Sequence, residues 1–262
     1  MLIPLSYVDD RQPLLDEMAD LFSAQRPGWK WGVKRHLYAI EYAWALDQLQ
    51  QRCTMDHAYS TDMLAGKRIL DAGGGRGAMM GLMAVRGAQV TTIARAADRM
   101  AGTTERGVVI PEIECLVGDM AETGIAEGSL DAITCISALE HNPKAHIKRI
   151  VRHLVSLLKP GAPLVVTVPC GREEAWHPRG TWAEMPTASD TLLFEQYTVC
   201  RIMQDMWRDH EVRTDVTFTR NDIHDGTEWR ALWDEYKAEM DNYPRGHRRP
   251  YLPGGCVLVR DA

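Results

Sequence analysis

The chain has 262 residues, of which 45% are hydrophobic and 25% charged, and its formal net charge is -6. That length and apolar fraction support one elaborated domain with a sizeable core, whereas two independent domains would each be small. The acidic balance argues against a broad face for nucleic acid or for an anionic membrane, because phosphate binding needs many Lys and Arg.

No window approaches the roughly 18 to 20 apolar residues that span a bilayer, and the first ten residues show no basic stretch ahead of a sustained apolar run. Cys53, Cys115, Cys135, Cys170, Cys200 and Cys256 lack C-x-x-C spacing, so neither a zinc site nor a disulfide framework is indicated. These features predict reduced thiols in a cytoplasmic protein without a metal. They leave the oligomeric state open.

In chain order, residues 12–50 read as helical, with Leu37, Ile40, Ala43, Trp44 and Leu46 on an apolar face. Residues 67–71 read as a strand stopped by Gly73, Gly74, Gly75 and Gly77, followed by a helix carrying Met79, Met80, Leu82, Met83 and Val85. Further strands are predicted from Gln89 to Ile93, Ile113 to Leu116 and Leu130 to Ile136. Asn142-Pro143 caps a helix with Ile147, Ile150, Val151, Leu154, Leu157 and Leu158 on one stripe, ended by Pro160-Gly161. The apolar run from Ala162 to Val168 suits a central parallel strand. Beyond it we expect a loop over 171–190, helices near 193–208 and 227–240, and strands near 211–218 and from Cys256 to Arg260. The β-α-β-α-β order predicts an α/β fold, a mostly parallel sheet with helices on both faces. We divide the single domain into a helical cap (1–66), a core (67–168) and a segment that completes the sheet and covers the substrate (169–262).

Asp71-Ala72-Gly73-Gly74-Gly75-Arg76-Gly77 has the form D-x-G-x-G-x-G at a strand end. Glycines let the backbone turn sharply and lie close to a ligand, whose polar parts then meet free N–H groups at the next helix. Gly73, Gly75 and Ala78 also fit the dinucleotide fingerprint G-x-G-x-x-G/A, so a nicotinamide or flavin enzyme is a competing reading. A carboxylate at Asp71 suits a ligand with a cationic amino group and would repel a pyrophosphate.

The stretch 69–77 resembles motif I of the class I S-adenosylmethionine-dependent methyltransferases. Gly118-Asp119-Met120 is similar to that family's acidic position for the adenine amino group, with Met120 beside the ring. Residues 129–141 resemble its fourth strand and "EH" end, residues 157–164 the approach to its fifth strand, and residues 253–259 its antiparallel closing strand. The resemblance implies a Rossmann-like seven-stranded sheet and S-adenosylmethionine as cofactor. It implies cofactor contacts from Asp71, Gly73, Gly75, Gly77, Asp119 and Met120, with Tyr42 on a lidding N-terminal helix.

One position departs from the family. Its second strand usually ends in an acid that holds the ribose hydroxyls, and here that place is Ala94, followed by Arg95. Asp98 or another loop could substitute, the cofactor could be held more weakly, the site could have decayed into a non-catalytic binding protein, or Arg95 could meet the 2′-phosphate of NADP. His141 is the candidate general base, since imidazole accepts a proton near neutral pH. Trp176, His177 and Arg179 are candidates for an acceptor pocket, because loops at the carboxyl edge of a sheet carry specificity. The expected activity is methyl transfer to a small molecule, at oxygen ahead of nitrogen or carbon. Residues 140–143 (Glu-His-Asn-Pro) are unlike the Asp/Asn-Pro-Pro-aromatic signature of enzymes that methylate DNA amino groups.

Overall fold

The computed structural model describes residues 12–25, 35–53, 63–74, 78–94, 100–103, 109–142, 144–171, 175–177, 191–195, 213–214 and 252–260. Two helices come first, α1 (Gln12–Gln25) and α2 (Arg35–Cys53), then β1 (Arg68–Ala72), α3 (Met79–Ala84), β2 (Gln89–Ala94), β3 (Met100–Thr103), β4 (Val109–Val117) and β5 (Ala132–Ile136). A 3₁₀ turn (Leu139–His141), α4 (Lys144–Leu157), β6 (Pro163–Gly171), β7 (Ala175–His177), β8 (Thr191–Glu195), β9 (Arg213–Thr214) and β10 (Leu252–Val259) follow.

The main sheet runs β4-β2-β1-β5-β6-β10-β9. From β4 to β6 every pairing is parallel, and β10 is antiparallel to β6 over Leu252 to Val259. These seven strands are the Rossmann-like arrangement expected from the motifs. β3 adds an antiparallel edge to β4, and a β7–β8 hairpin joins β6 through Cys170 and Gly171.

Parallel central strands are buried on both faces, which is why β1, β5 and β6 are nearly continuous apolar runs. Register places Asp71, Thr92, Thr134 and Thr167 on one face. Met83 of α3 and Glu41 of α2 reach that same face, through Thr134 and Thr167 respectively. The opposite face (Leu70, Ile133, Cys135, Leu164, Val166) is equally buried, as is the α4 stripe of Ile147, Ile150, Val151 and Leu154. A bidentate Arg86–Glu17 pair at 2.9 Å ties α1 to the turn after α3.

Helix α2 docks through one close fit. A Cβ on Gly255 of β10 would lie 2.6 Å from the Trp44 ring, so only a glycine there lets the fully buried indole settle on the strand.

Two expectations are corrected. The segment 171–190 contains β7, and residues 193–195 belong to strand β8 instead of opening a helix. Thr191-Leu192-Leu193-Phe194 is an apolar run too short for periodicity to separate strand from helix, and pairing with Cys170 and Gly171 decides it. Strand β3 was not expected. The rest of 196–208 and the predicted helix at 227–240 lie outside the described residues.

Candidate active site

Asp71, next to last in β1, is only 1% exposed. Thr134 Oγ1 donates to Asp71 Oδ1 at 2.8 Å, and Thr92 Oγ1 donates to its backbone carbonyl at 3.0 Å. Among the described residues Oδ2 is buried with no hydrogen-bond partner. Burial pushes the carboxyl up to about 6, against the hydrogen bond from Thr134.

The backbone then turns at Gly73, whose φ is +78° and whose N–H donates to the Ile93 carbonyl at 2.8 Å. A Cβ on Gly73 would lie 2.5 Å from Ala138 Cβ and 3.2 Å from Met120 Sδ, and one on Gly74 would strike Asp71 Oδ2. Three segments distant in sequence therefore meet at this turn: the ends of β1, β4 and β5. Gly75 and Gly77 lie outside the described residues.

Asp119, exposed just beyond β4, accepts from the Ala121 N–H at 2.8 Å and pairs with His146 Nε2 at 2.9 Å. Burial works against its charge, but the Ala121 and His146 hydrogen bonds outweigh that and hold its carboxyl below the usual range. The following loop is fastened to α4 twice more, by Glu122–Arg149 and by His153 Nε2, which accepts the Thr123 N–H at 3.1 Å.

Beyond β5, Glu140 is buried and His141 half-buried in the 3₁₀ turn, with His141 Nε2 3.9 Å from Glu140 Oε1. Asn142 Nδ2 donates to the carbonyls of Ala138 and Leu139, which fixes the turn. Tyr42 is buried in α2, one residue after Glu41. Trp176 and His177 stand on β7, with Trp176 opposite Leu192, and Arg179 lies outside the described residues. Ala94 is the last residue of β2, as expected, while Arg95 and Asp98 lie outside the described residues.

Sequence reasoning missed a buried network at the same edge. Glu41 Oε1 accepts from Ser137 Oγ at 2.6 Å and from Thr167 Oγ1 at 2.9 Å. Its signal was a carboxylate inside the apolar stretch Ala39-Ile40-Glu41-Tyr42-Ala43-Trp44. A separate groove of about 490 Å³, lined by Arg68, Gln89, Thr91, Glu114 and Leu130, opens near the amino ends of β1 and β2 and contains none of the candidate cofactor, catalytic or acceptor residues. Among the described residues no group of three or more His, Cys, Asp or Glu could hold a metal, and no helix is long and apolar enough to cross a membrane.

Residues 69–161 match the family described as a methyltransferase domain. The chain is 40% identical over 102 residues to a ubiquinone biosynthesis O-methyltransferase of Chromobacterium violaceum, covering 37% of this chain and 42% of that one. It is 39% identical over 108 residues to the protein of the same name from Xanthomonas euvesicatoria, covering 40% and 44%. The chain thus spans less than half the length of these curated relatives. In structure it is similar to a 1,6-didemethyltoxoflavin-N1-methyltransferase of Burkholderia thailandensis with bound 1,6-didemethyltoxoflavin and S-adenosylhomocysteine. That likeness has a TM-score of 0.52 at 14% identity, covers 98% of this chain and 84% of that one, and speaks for the fold. The resemblance read from the motifs, to the class I S-adenosylmethionine-dependent methyltransferases, is borne out over the core.

Proposed function

We propose that this chain, whose residues 69–161 match a methyltransferase domain, transfers a methyl group from S-adenosylmethionine to an oxygen of a small-molecule acceptor. The observation that carries this is Asp71, a buried carboxylate with one oxygen unpartnered among the described residues, beside a turn so tight that Gly73 and Gly74 admit no side chain. A carboxylate kept from water with no cation beside it among the described residues is unstable unless a cationic ligand completes it. The amino group of S-adenosylmethionine fits that requirement, and the glycine turn fits the close approach of its carboxylate and sugar to backbone.

When bound, S-adenosylmethionine supplies an electrophilic methyl group on a sulfonium. The protein's task is then mainly alignment and proton removal. Asp71, Gly73, Gly75 and Gly77 hold the amino acid end. Asp119, fixed by the Ala121 N–H and by His146, accepts from the adenine amino group, and Met120 packs beside the ring. Tyr42 lids the cleft. His141 removes the acceptor's hydroxyl proton, and Trp176, His177 and Arg179 line the acceptor side. Oxygen is favoured because the curated relatives that overlap the cofactor core carry the name O-methyltransferase. In this reading 1–66 is the cap, 67–168 the cofactor core and 169–262 the acceptor cover.

The test is S-adenosylhomocysteine formation with hydroxylated small molecules, together with the His141→Gln variant. We expect transfer to a hydroxyl, and a fall in kcat of about 100-fold in the variant at unchanged cofactor affinity. Transfer only to nitrogen or carbon acceptors contradicts the oxygen assignment, and an unchanged kcat removes His141 as base. A non-catalytic binding protein is the second reading, favoured by Ala94 at the end of β2, where an acid would hold the ribose. It predicts that only Ala94→Asp binds the cofactor.

A further inference from the structure

Ser137, the first residue after β5, has φ +46° and is the one non-glycine in the left-handed region among the described residues. A side chain there is strained, and such strain persists only where the surroundings over-determine it. Three hydrogen bonds do so. The Ser137 N–H donates to the Thr167 carbonyl at 3.0 Å and to Thr167 Oγ1 at 3.2 Å, and Ser137 Oγ donates to Glu41 Oε1 at 2.6 Å. Glu41 also accepts from Thr167 Oγ1 at 2.9 Å, so one carboxylate oxygen gathers both hydroxyls. The next residue is Ala138, whose Cβ fills the space that a side chain on Gly73 would need. The strained residue therefore sets how closely the end of β5 presses on the cofactor turn.

We propose that Glu41 is a positioning residue: from helix α2 it holds Ser137 in its left-handed conformation and so seats Ala138 against Gly73, linking the docking of the N-terminal helix to cofactor binding. This rests on the reading of the glycine turn as the S-adenosylmethionine site. Glu41 shapes the turn without touching the cofactor. Trp44, one turn further along α2, clamps the same helix onto Gly255 and fixes the height from which Glu41 reaches down.

The test is a cycle of variants titrated with S-adenosylhomocysteine by calorimetry. Glu41→Ala should weaken binding about tenfold, the scale of one lost hydrogen bond to a charged group. Glu41→Gln keeps an acceptor oxygen and should stay within about threefold. Glycine accepts the left-handed backbone freely, so in a Ser137→Gly background Glu41→Ala should change binding by less than about twofold. An equal loss in both backgrounds, or no loss in either, overturns the proposal.

Ser137→Ala removes the same hydrogen bond from its other end and serves where Glu41→Ala does not fold. If the unaltered chain fails to bind S-adenosylhomocysteine, the functional reading falls, and amide exchange at Ser137 decides the role of Glu41 separately. Exchange should rise about tenfold in Glu41→Ala or Ser137→Ala and hold in Glu41→Gln. Unchanged exchange in the first two overturns the proposal.

Discussion

Thr134 donates a 2.8 Å hydrogen bond to one oxygen of Asp71 from the neighbouring strand, while the other Asp71 oxygen is buried against Gly74. Among the described residues only one of its two oxygens has a hydrogen-bond partner. That arrangement costs stability, and the proposed cationic ligand would offset the cost.

The folded Asp71 carboxyl binds its proton more tightly than the unfolded one, because its value is raised to about 6 by burial. The fold therefore loses stability as pH rises from about 4 through about 6 and carries the full penalty above that, on the order of 3 kcal/mol. Asp71→Asn removes the penalty. Thermal unfolding should show the variant more stable than the parent at neutral pH, with the gap closing towards pH 4, and the variant should no longer bind S-adenosylhomocysteine. Parallel stability profiles, or retained binding, would falsify the role given to Asp71.

Gly73→Ala forces a left-handed side chain against Ala138 and Met120 and should cost about 2 to 4 kcal/mol together with cofactor binding. Gly124 has nearly the same backbone angle, φ +73°, but faces open space. Gly124→Ala should therefore cost only about 1 kcal/mol and leave binding intact. Equal Tm shifts in the two variants would mean that backbone conformation alone matters and that the contact with Ala138 does not.

His153 must be neutral at Nε2 to accept the Thr123 N–H, and burial lowers its pKa, with Arg149 adding to the effect and Glu127 and Asp119 opposing it. A histidine with a depressed folded value contributes stability above about pH 6.5 that is lost as pH falls through the lower, folded value. Hydrogen exchange at the Thr123 amide should be slow near neutrality and accelerate as His153 charges, loosening the loop that carries Asp119 and Met120. The acceleration should vanish in His153→Asn. Protection that does not change with pH contradicts it.

The parts of the fold that could be read from sequence are those in which local pattern and tertiary demand agree. The stripe of α4, the glycines after β1 and the apolar run of β6 each determine their element, and Met120 and Ala138 lie against Gly73. Helix α2 was legible as a helix, but its docking was not, because the buried Glu41 and Gln50 break the apolar pattern, and the partners of Glu41, Ser137 and Thr167, lie far along the chain. The hydroxyls of Thr92, Thr134 and Thr167 were also hidden, since threonine in a strand reads as ordinary β-propensity until register puts it on the face of Asp71. Strand β8 was misread because its neighbour is set by β6 and not by its own sequence.

Calorimetric titration of the chain with S-adenosylhomocysteine, at neutral pH and again near pH 5, tests the central claim most directly. Binding at a single site is expected, weakening about tenfold for each pH unit below about 6 as Asp71 takes up a proton and the ligand's amino group loses its partner. Absence of heat and of any Tm shift, or an affinity that ignores pH across that range, would contradict it.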